Sequence, residues 1–130
     1  MLREMLRAKV HRATVTETNV DYEGSLTLDA GLMKAAGLIP YERIDVYNAD
    51  SGARFSTYLI SGAEGSGVCC INGAAAHLAR PGDRVIIASY ASVADEELRS
   101  FRPTIVLVGP GNRIKEVRHE IVAGTVVADA

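Results

Sequence analysis

The chain has 130 residues, 48% of them hydrophobic, enough for one compact domain with a real core and too few for a second. Fourteen Lys and Arg against sixteen Asp and Glu leave a net charge of −2 with the signs interspersed, so no basic stripe marks a nucleic-acid partner. Trp is absent and Phe occurs twice, which argues against a base-stacking platform. No apolar run approaches bilayer-spanning length, and the charged segment Met1–Lys9 has no signal-peptide core, so no membrane partner is expected. Cys69 and Cys70 are adjacent, a poor geometry for a structural disulfide, and read as buried reduced thiols of a cytoplasmic protein. With three scattered histidines they give no ligand spacing for zinc, so no metal is expected.

From Leu6 the pattern alternates, with Leu6, Ala8 and Val10 on one face and Arg7, Lys9 and His11 on the other. That is a strand, and it sets Lys9 and His11 about 7 Å apart on one face. The apolar phase then shifts to Ala13 and Val15, as a bulge would require. Leu26 and Leu28 continue as a strand, Asp29 can cap a short helix through Leu32, Met33 and Ala36, and Gly37 stops it. Ile44–Tyr47 and Arg54–Ser61 read as two arms around the reversal 48–52. On the second arm Arg54, Ser56, Tyr58 and Ile60 share a face, and Phe55, Thr57 and Leu59 share the other.

Gly62–Gly67 reads as a mobile surface loop, Val68–Ile71 as a short buried strand ending in the turn Asn72-Gly73, and 74–78 as a helical turn or two in which His77 packs. Arg80-Pro81-Gly82-Asp83 is predicted to form a type II turn. Arg84–Ala91 is nearly all apolar, as a strand buried on both faces should be. A short helix over 95–100, a strand over 104–108 and a turn into a strand over 113–118 follow, with His119 solvated. The last residues are small and apolar with little to pin them, which leaves room for a disordered tail over about 119–130. The sum is a single domain over 1–130, mainly β, a small barrel with short helical connections.

Within 21–28 one peptide bond stands out, that between Gly24 and Ser25. A serine hydroxyl directly after glycine can fold back on the preceding carbonyl, because glycine reaches backbone conformations denied to other residues. Attack there turns the amide into an ester, and elimination of the ester splits the chain and leaves a dehydroalanine that water converts to a pyruvoyl ketone. Taken alone, a Gly-Ser pair is ordinary turn punctuation.

Separated stretches align with one family. Lys9 and His11, Tyr22-Glu23-Gly24-Ser25, Arg54-Phe55-Ser56-Thr57-Tyr58, Asn72-Gly73-Ala74-Ala75-Ala76-His77 and the run from Gly82 to Ser89 resemble the bacterial aspartate 1-decarboxylases, pyruvoyl-dependent enzymes that make β-alanine for pantothenate synthesis. The likeness runs from about Met5 to about Pro103. It implies a double-psi β-barrel, a homotetramer with sites between neighbouring subunits, and cleavage between Gly24 and Ser25 into a β chain of 1–24 and an α chain of 25–130. The cofactor implied is a covalent pyruvoyl group formed from Ser25, with no pyridoxal phosphate, and the substrate is L-aspartate. An accessory maturation protein leaves no mark in the residues.

The same resemblance implies the roles. Ser25 becomes the ketone that forms a Schiff base with the substrate amine, and Tyr58 protonates the carbon that has lost CO2; a phenol near pKa 10 starts protonated at neutral pH. Arg54 offers a planar fork suited to a carboxylate and Lys9 a point charge, each an ordinary solvated cation if read alone. Thr57 donates to the Gly24 carbonyl during self-cleavage, which on a regular strand needs a local twist or bulge, since Thr57 faces away from Arg54 and Tyr58. Asn72 and the N–H groups of Gly73, Ala74 and Ala75, at a turn-to-helix start, suit substrate binding. Tyr22 and His11 stand behind these as supporting residues. A pyruvoyl decarboxylase of another amino acid and a non-catalytic β-barrel binding module remain the rival readings.

Overall fold

The computed structural model describes residues 1–127. Among the described residues nine strands carry the fold: β1 (Leu2–Thr14), β2 (Glu17–Asn19), β3 (Leu26–Asp29), β4 (Arg43–Asn48), β5 (Arg54–Gly62), β6 (Cys69–Asn72), β7 (Arg84–Ala94), β8 (Thr104–Val108) and β9 (Ile114–Arg118), with one α-helix, α1 (Ala30–Ala36). They form one mixed sheet in the order β2-β6-β3-β5-β4-β7-β1-β8-β9, the architecture of a small β-barrel. The inward faces of these strands supply the core, where Val10, Leu26, Leu28, Ile44, Val46, Leu59, Ile71, Val85 and Ile87 are essentially inaccessible to solvent.

The long strand β1 crosses the molecule because two bulges bend it. Its pairing with β7 shifts between Leu6 and Ala8 and again between His11 and Ala13, and Arg12 sits at φ +69 at the second shift. The change of apolar phase in the sequence marks that second bulge. The far end of β1 is tied to two loops through one buried side chain. Asn112 Oδ1 accepts from the Thr14 N–H at 2.7 Å, and its Nδ2 donates to the carbonyls of Thr14 at 2.8 Å and Gly67 at 2.7 Å.

A second buried polar group organises β3, α1 and the glycine-rich loop. Asp29 ends β3 and caps α1 by accepting from the Gly31 N–H at 2.7 Å. The same carboxylate accepts from Gly65 at 3.0 Å and Gly67 at 2.8 Å. The segment 62–67, expected to be mobile, is therefore pinned at its centre. Gly67 is buried at φ +73, and a Cβ there would lie 2.6 Å from the Gly111 carbonyl oxygen, backbone that cannot move aside.

Three other expectations change. β2 is an additional strand, too short to leave a period in the sequence, and it exists because Glu17–Asn19 lies parallel to β6. The helical turns expected over 74–78 form as a 3₁₀-helix over 73–78, but His77 is exposed rather than packed. The helix over 95–100 shortens to a 3₁₀ turn at Asp95–Glu97. The type II turn forms as predicted, with Gly82 at φ +94 and the Asp83 N–H 3.0 Å from the Arg80 carbonyl. Both cysteines are buried free thiols, and burial pushes Cys69 up to about 12. The expected tail falls partly on 128–130, outside the described residues; of 119–127, Ile121, Val122 and Val126 are exposed.

Burial alone would raise the Asp29 carboxyl; the N–H groups of Gly67, Gly65 and Gly31 outweigh it and hold the group below its ordinary 3.8. A carboxyl depressed on folding stabilises above its unfolded pKa, and that stabilisation is lost as acid titrates it. Asp29→Ala should cost about 2–3 kcal/mol at pH 7 by urea denaturation. The gap between variant and parent should narrow below about pH 4.

Candidate active site

The segment around Gly24 and Ser25 enters β3 between two neighbours. β3 pairs parallel with β5, Leu26 opposite Leu59, and antiparallel with β6, Leu26 opposite Ile71. One residue earlier, Ser25 lies level with Tyr58 on one side and Asn72 on the other, and its carbonyl accepts the Asn72 N–H at 2.7 Å. The Asn72 side chain is buried and held twice, its Nδ2 donating to Thr27 Oγ1 at 3.2 Å and its Oδ1 accepting from Cys70 Sγ at 2.9 Å. Gly73 follows at φ +63, its Cβ position 3.9 Å from the Tyr22 carbonyl. Tyr22, Gly24, Ser25, Asn72 and Gly73 thus gather at one end of the β2-β6-β3 edge, with Ala74 exposed and Ala75 packed against the core.

Gly24 has a conformation only glycine holds comfortably. It sits at φ +84, and a Cβ there would lie 2.8 Å from Ile60 Cγ1. The bond before Ser25 is therefore set in a turn that an L side chain would both strain and crowd, with the Ser25 carbonyl fixed by Asn72.

The cations lie elsewhere on the chain. Arg54, Ser56 and Tyr58 occupy the exposed face of β5, and Thr57 points to the other side. The register against β4 runs unbroken from Arg43 opposite Tyr58 to Tyr47 opposite Arg54. No bulge turns Thr57 toward Arg54 and Tyr58, so the strand does not bring all three to one face. Lys9 lies in the same row as Ser56, across β7 and β4 through Ala88 and Asp45. Three strand steps separate them, about 14 Å along the sheet. Lys9 and His11 instead share a cavity with Ile105, Leu107, Arg118, Ile121 and Val122. The His11 Nδ1 is enclosed there without a hydrogen-bond partner among the described residues.

The model of the aspartate decarboxylase family matches residues 1–115. The chain is 53% identical over 118 residues to the aspartate 1-decarboxylase of Ralstonia nicotianae, covering 91% of this chain and 98% of the relative. It is 52% identical over 129 residues to that of Pelotomaculum thermopropionicum (99% and 98%) and 53% identical over 115 residues to that of Syntrophus aciditrophicus (88% and 99%). The chain belongs to the aspartate decarboxylase family. The resemblance carried by the separated motifs is thereby met over the length at which it was expected.

Two residues beside the family motifs escaped the sequence reading. Tyr47 lies under Arg54, with the guanidinium carbon 4.1 Å from the ring centroid, and its hydroxyl lies 2.8 Å from that of Tyr90. Tyr47 was legible in principle, since counting back through the 48–52 reversal pairs it with Arg54. Tyr90 was not, because only the pairing of β7 with β4 brings it there. Among the described residues no group of three or more His, Cys, Asp or Glu is arranged to hold a metal, and no helix is long and apolar enough to cross a membrane.

Burial, with the Lys9 and Arg12 charges, pushes His11 down to about 4. Below its ordinary 6.5 the unfolded chain binds a proton that the folded chain refuses, so stability falls as pH drops from about 6.5 to about 4. An NMR titration of the imidazole should show a midpoint near 4, and His11→Gln should flatten the stability slope across that window.

Proposed function

We propose that the protein is a self-processing aspartate 1-decarboxylase that converts L-aspartate to β-alanine and CO2 in the cytoplasm, for pantothenate synthesis. The group that makes this possible is a pyruvoyl formed from Ser25. The observation that carries the reading is Gly24, held at φ +84 against Ile60 in a chain whose relatives are named aspartate 1-decarboxylases. The residues fit the formation of that group. The Ser25 hydroxyl adds to the adjacent Gly24 carbonyl, the C–N bond breaks to give an ester, and elimination releases a Gly24 carboxylate and a dehydroalanine. Water then replaces its nitrogen, which leaves as ammonia. Thr57, which the unbroken β5 keeps on the face opposite Arg54 and Tyr58, serves the cleavage step alone and donates to the Gly24 oxygen as negative charge builds on it, a contact typically worth about 10²–10³ in rate. Once formed, a pyruvoyl group supplies a ketone that captures an amine and accepts the electron pair left when a carboxylate departs.

The remaining roles belong to side chains. Arg54 holds one substrate carboxylate through its fork of N–H donors, with Lys9 adding charge; hydrogen bonds of this kind contribute about 1.5–3 kcal/mol. Tyr58, level with Ser25 across the β3–β5 pair, protonates the substrate carbon. Asn72, Gly73, Ala74 and Ala75 bind substrate beside Ser25, with Tyr22 and His11 supporting. Lys9 is four strand steps from β3 within one chain, about 19 Å along the sheet. A site shared between neighbouring subunits, as in a homotetramer, brings the Ser25 end of one subunit to the cationic face of the next.

Intact-mass measurement of the purified protein should find fragments of 24 and 106 residues, the larger beginning with a carbonyl in place of an amine. Ser25→Ala should fold, stay whole and be inactive; normal turnover by that variant would rule out the pyruvoyl route. Arg54→Ala should process normally and lose aspartate turnover through a raised KM, by about 10- to 100-fold. Unchanged aspartate kinetics in that variant would remove Arg54 from the carboxylate site.

A further inference from the structure

Arg54 is exposed at the first residue of β5, and a long side chain in that position loses much rotamer freedom when it must hold a carboxylate in one geometry. The structure provides a rest for it. Tyr47, the cross-strand partner of Arg54, puts its ring 4.1 Å below the guanidinium carbon. Attraction of a cation to a ring uses the face of the guanidinium and leaves in-plane N–H donors for a carboxylate. The ring is itself tethered, because the Tyr47 and Tyr90 hydroxyls meet at 2.8 Å and Tyr90 stands on β7, on the far side of β4. Asp45, a carboxylate on the same strand as Tyr47, accepts from Ser56 Oγ at 2.6 Å, and Ser56 also accepts from Arg43. No carboxylate among the described residues forms an ion pair with Arg54.

We propose that Tyr47 and Tyr90 are positioning residues, a hydrogen-bonded pair of rings that holds the Arg54 guanidinium ready for the carboxylate of an acidic substrate. The inference rests on the role given to Arg54 above. The hydrogen bond to Tyr47, together with burial, raises Tyr90 to about 12, so the Tyr90 hydroxyl stays uncharged at neutral pH and remains available to the Tyr47 hydroxyl. The hydrogen bond also restrains the Tyr47 ring from turning out of the way of the cation.

The test is a kinetic cycle on the processed enzyme with aspartate, using succinate as a non-reacting dicarboxylate. Tyr47→Leu should raise KM by about 2- to 30-fold, with kcat within about twofold of the parent and cleavage at Ser25 complete by intact mass. The inhibition constant for succinate should rise in parallel. Tyr47→Trp, which restores a ring face, should recover the parent KM. Tyr90→Phe, which keeps the packing and loses only the tether, should give a smaller rise of about two- to threefold and melts with the parent, so it reads the platform even if Tyr47→Leu fails to fold. On an Arg54→Ala background, Tyr47→Leu should have no further effect on KM. A parent-like KM in Tyr47→Leu and Tyr90→Phe, beside a raised KM in Arg54→Ala, overturns the platform and leaves the role of Arg54 standing. The same fold-rise from Tyr47→Leu with and without Arg54 also overturns it, since the ring would then act on something else. A parent-like KM in Arg54→Ala overturns both.

Discussion

The buried carboxylate of Asp29 accepts N–H groups from Gly31, Gly65 and Gly67, and through these contacts it fixes three pieces of chain at once. It ends β3 by starting α1, and it holds the loop that connects β5 to β6. The strands β5, β3 and β6 lie side by side, so fixing that loop fixes the slot in which Ser25 sits between Tyr58 and Asn72. Asn112 completes the arrangement by joining Gly67 to Thr14. A buried charge is tolerable only when its lone pairs are filled by donors, and here the donors are backbone groups of glycines that approach closely because no side chain intervenes. The stability of the loop and the placement of the candidate cleavage bond are thus parts of one polar cluster.

Charge is distributed unevenly around that slot. The Ser25 end gathers backbone groups, the Asn72 amide and Tyr22, and the cations Arg54, Arg43 and Lys9 stand on β5, β4 and β1. The ring of Tyr47 and the enclosed site of Lys9 and His11 treat positive charge in different ways. Arg54 is exposed and rests on the Tyr47 ring. Burial lowers Lys9, and His11 is held uncharged at neutral pH beside it. A neutral imidazole next to an ammonium avoids the repulsion that two cations in one cavity would bring.

Much of this was legible in the residues. The alternation through Leu6, Ala8 and Val10, the capping aspartate before Leu32 and Met33, and the two arms around 48–52 follow from side-chain period and turn chemistry, which act over a few residues and leave their mark in order along the chain. The family motifs likewise lie in short runs. What could not be read were contacts between runs: β2 joins the sheet through β6, the loop 62–67 is pinned by a carboxylate more than thirty residues away, and Tyr90 reaches Tyr47 through the β4–β7 pairing.

By itself, then, the sequence determined the class of fold, the positions of most strands and turns, and the family to which the chain belongs, because each is encoded by local sterics or by motifs of contiguous residues. Tertiary structure decided which of those residues share a face. It set Thr57 opposite Tyr58 on an unbroken strand, separated Lys9 from Ser25 by four strand steps, and laid a tyrosine under Arg54. The reason is that strand order and register depend on burying both faces of the whole sheet at once, a condition no short stretch of chain carries within itself.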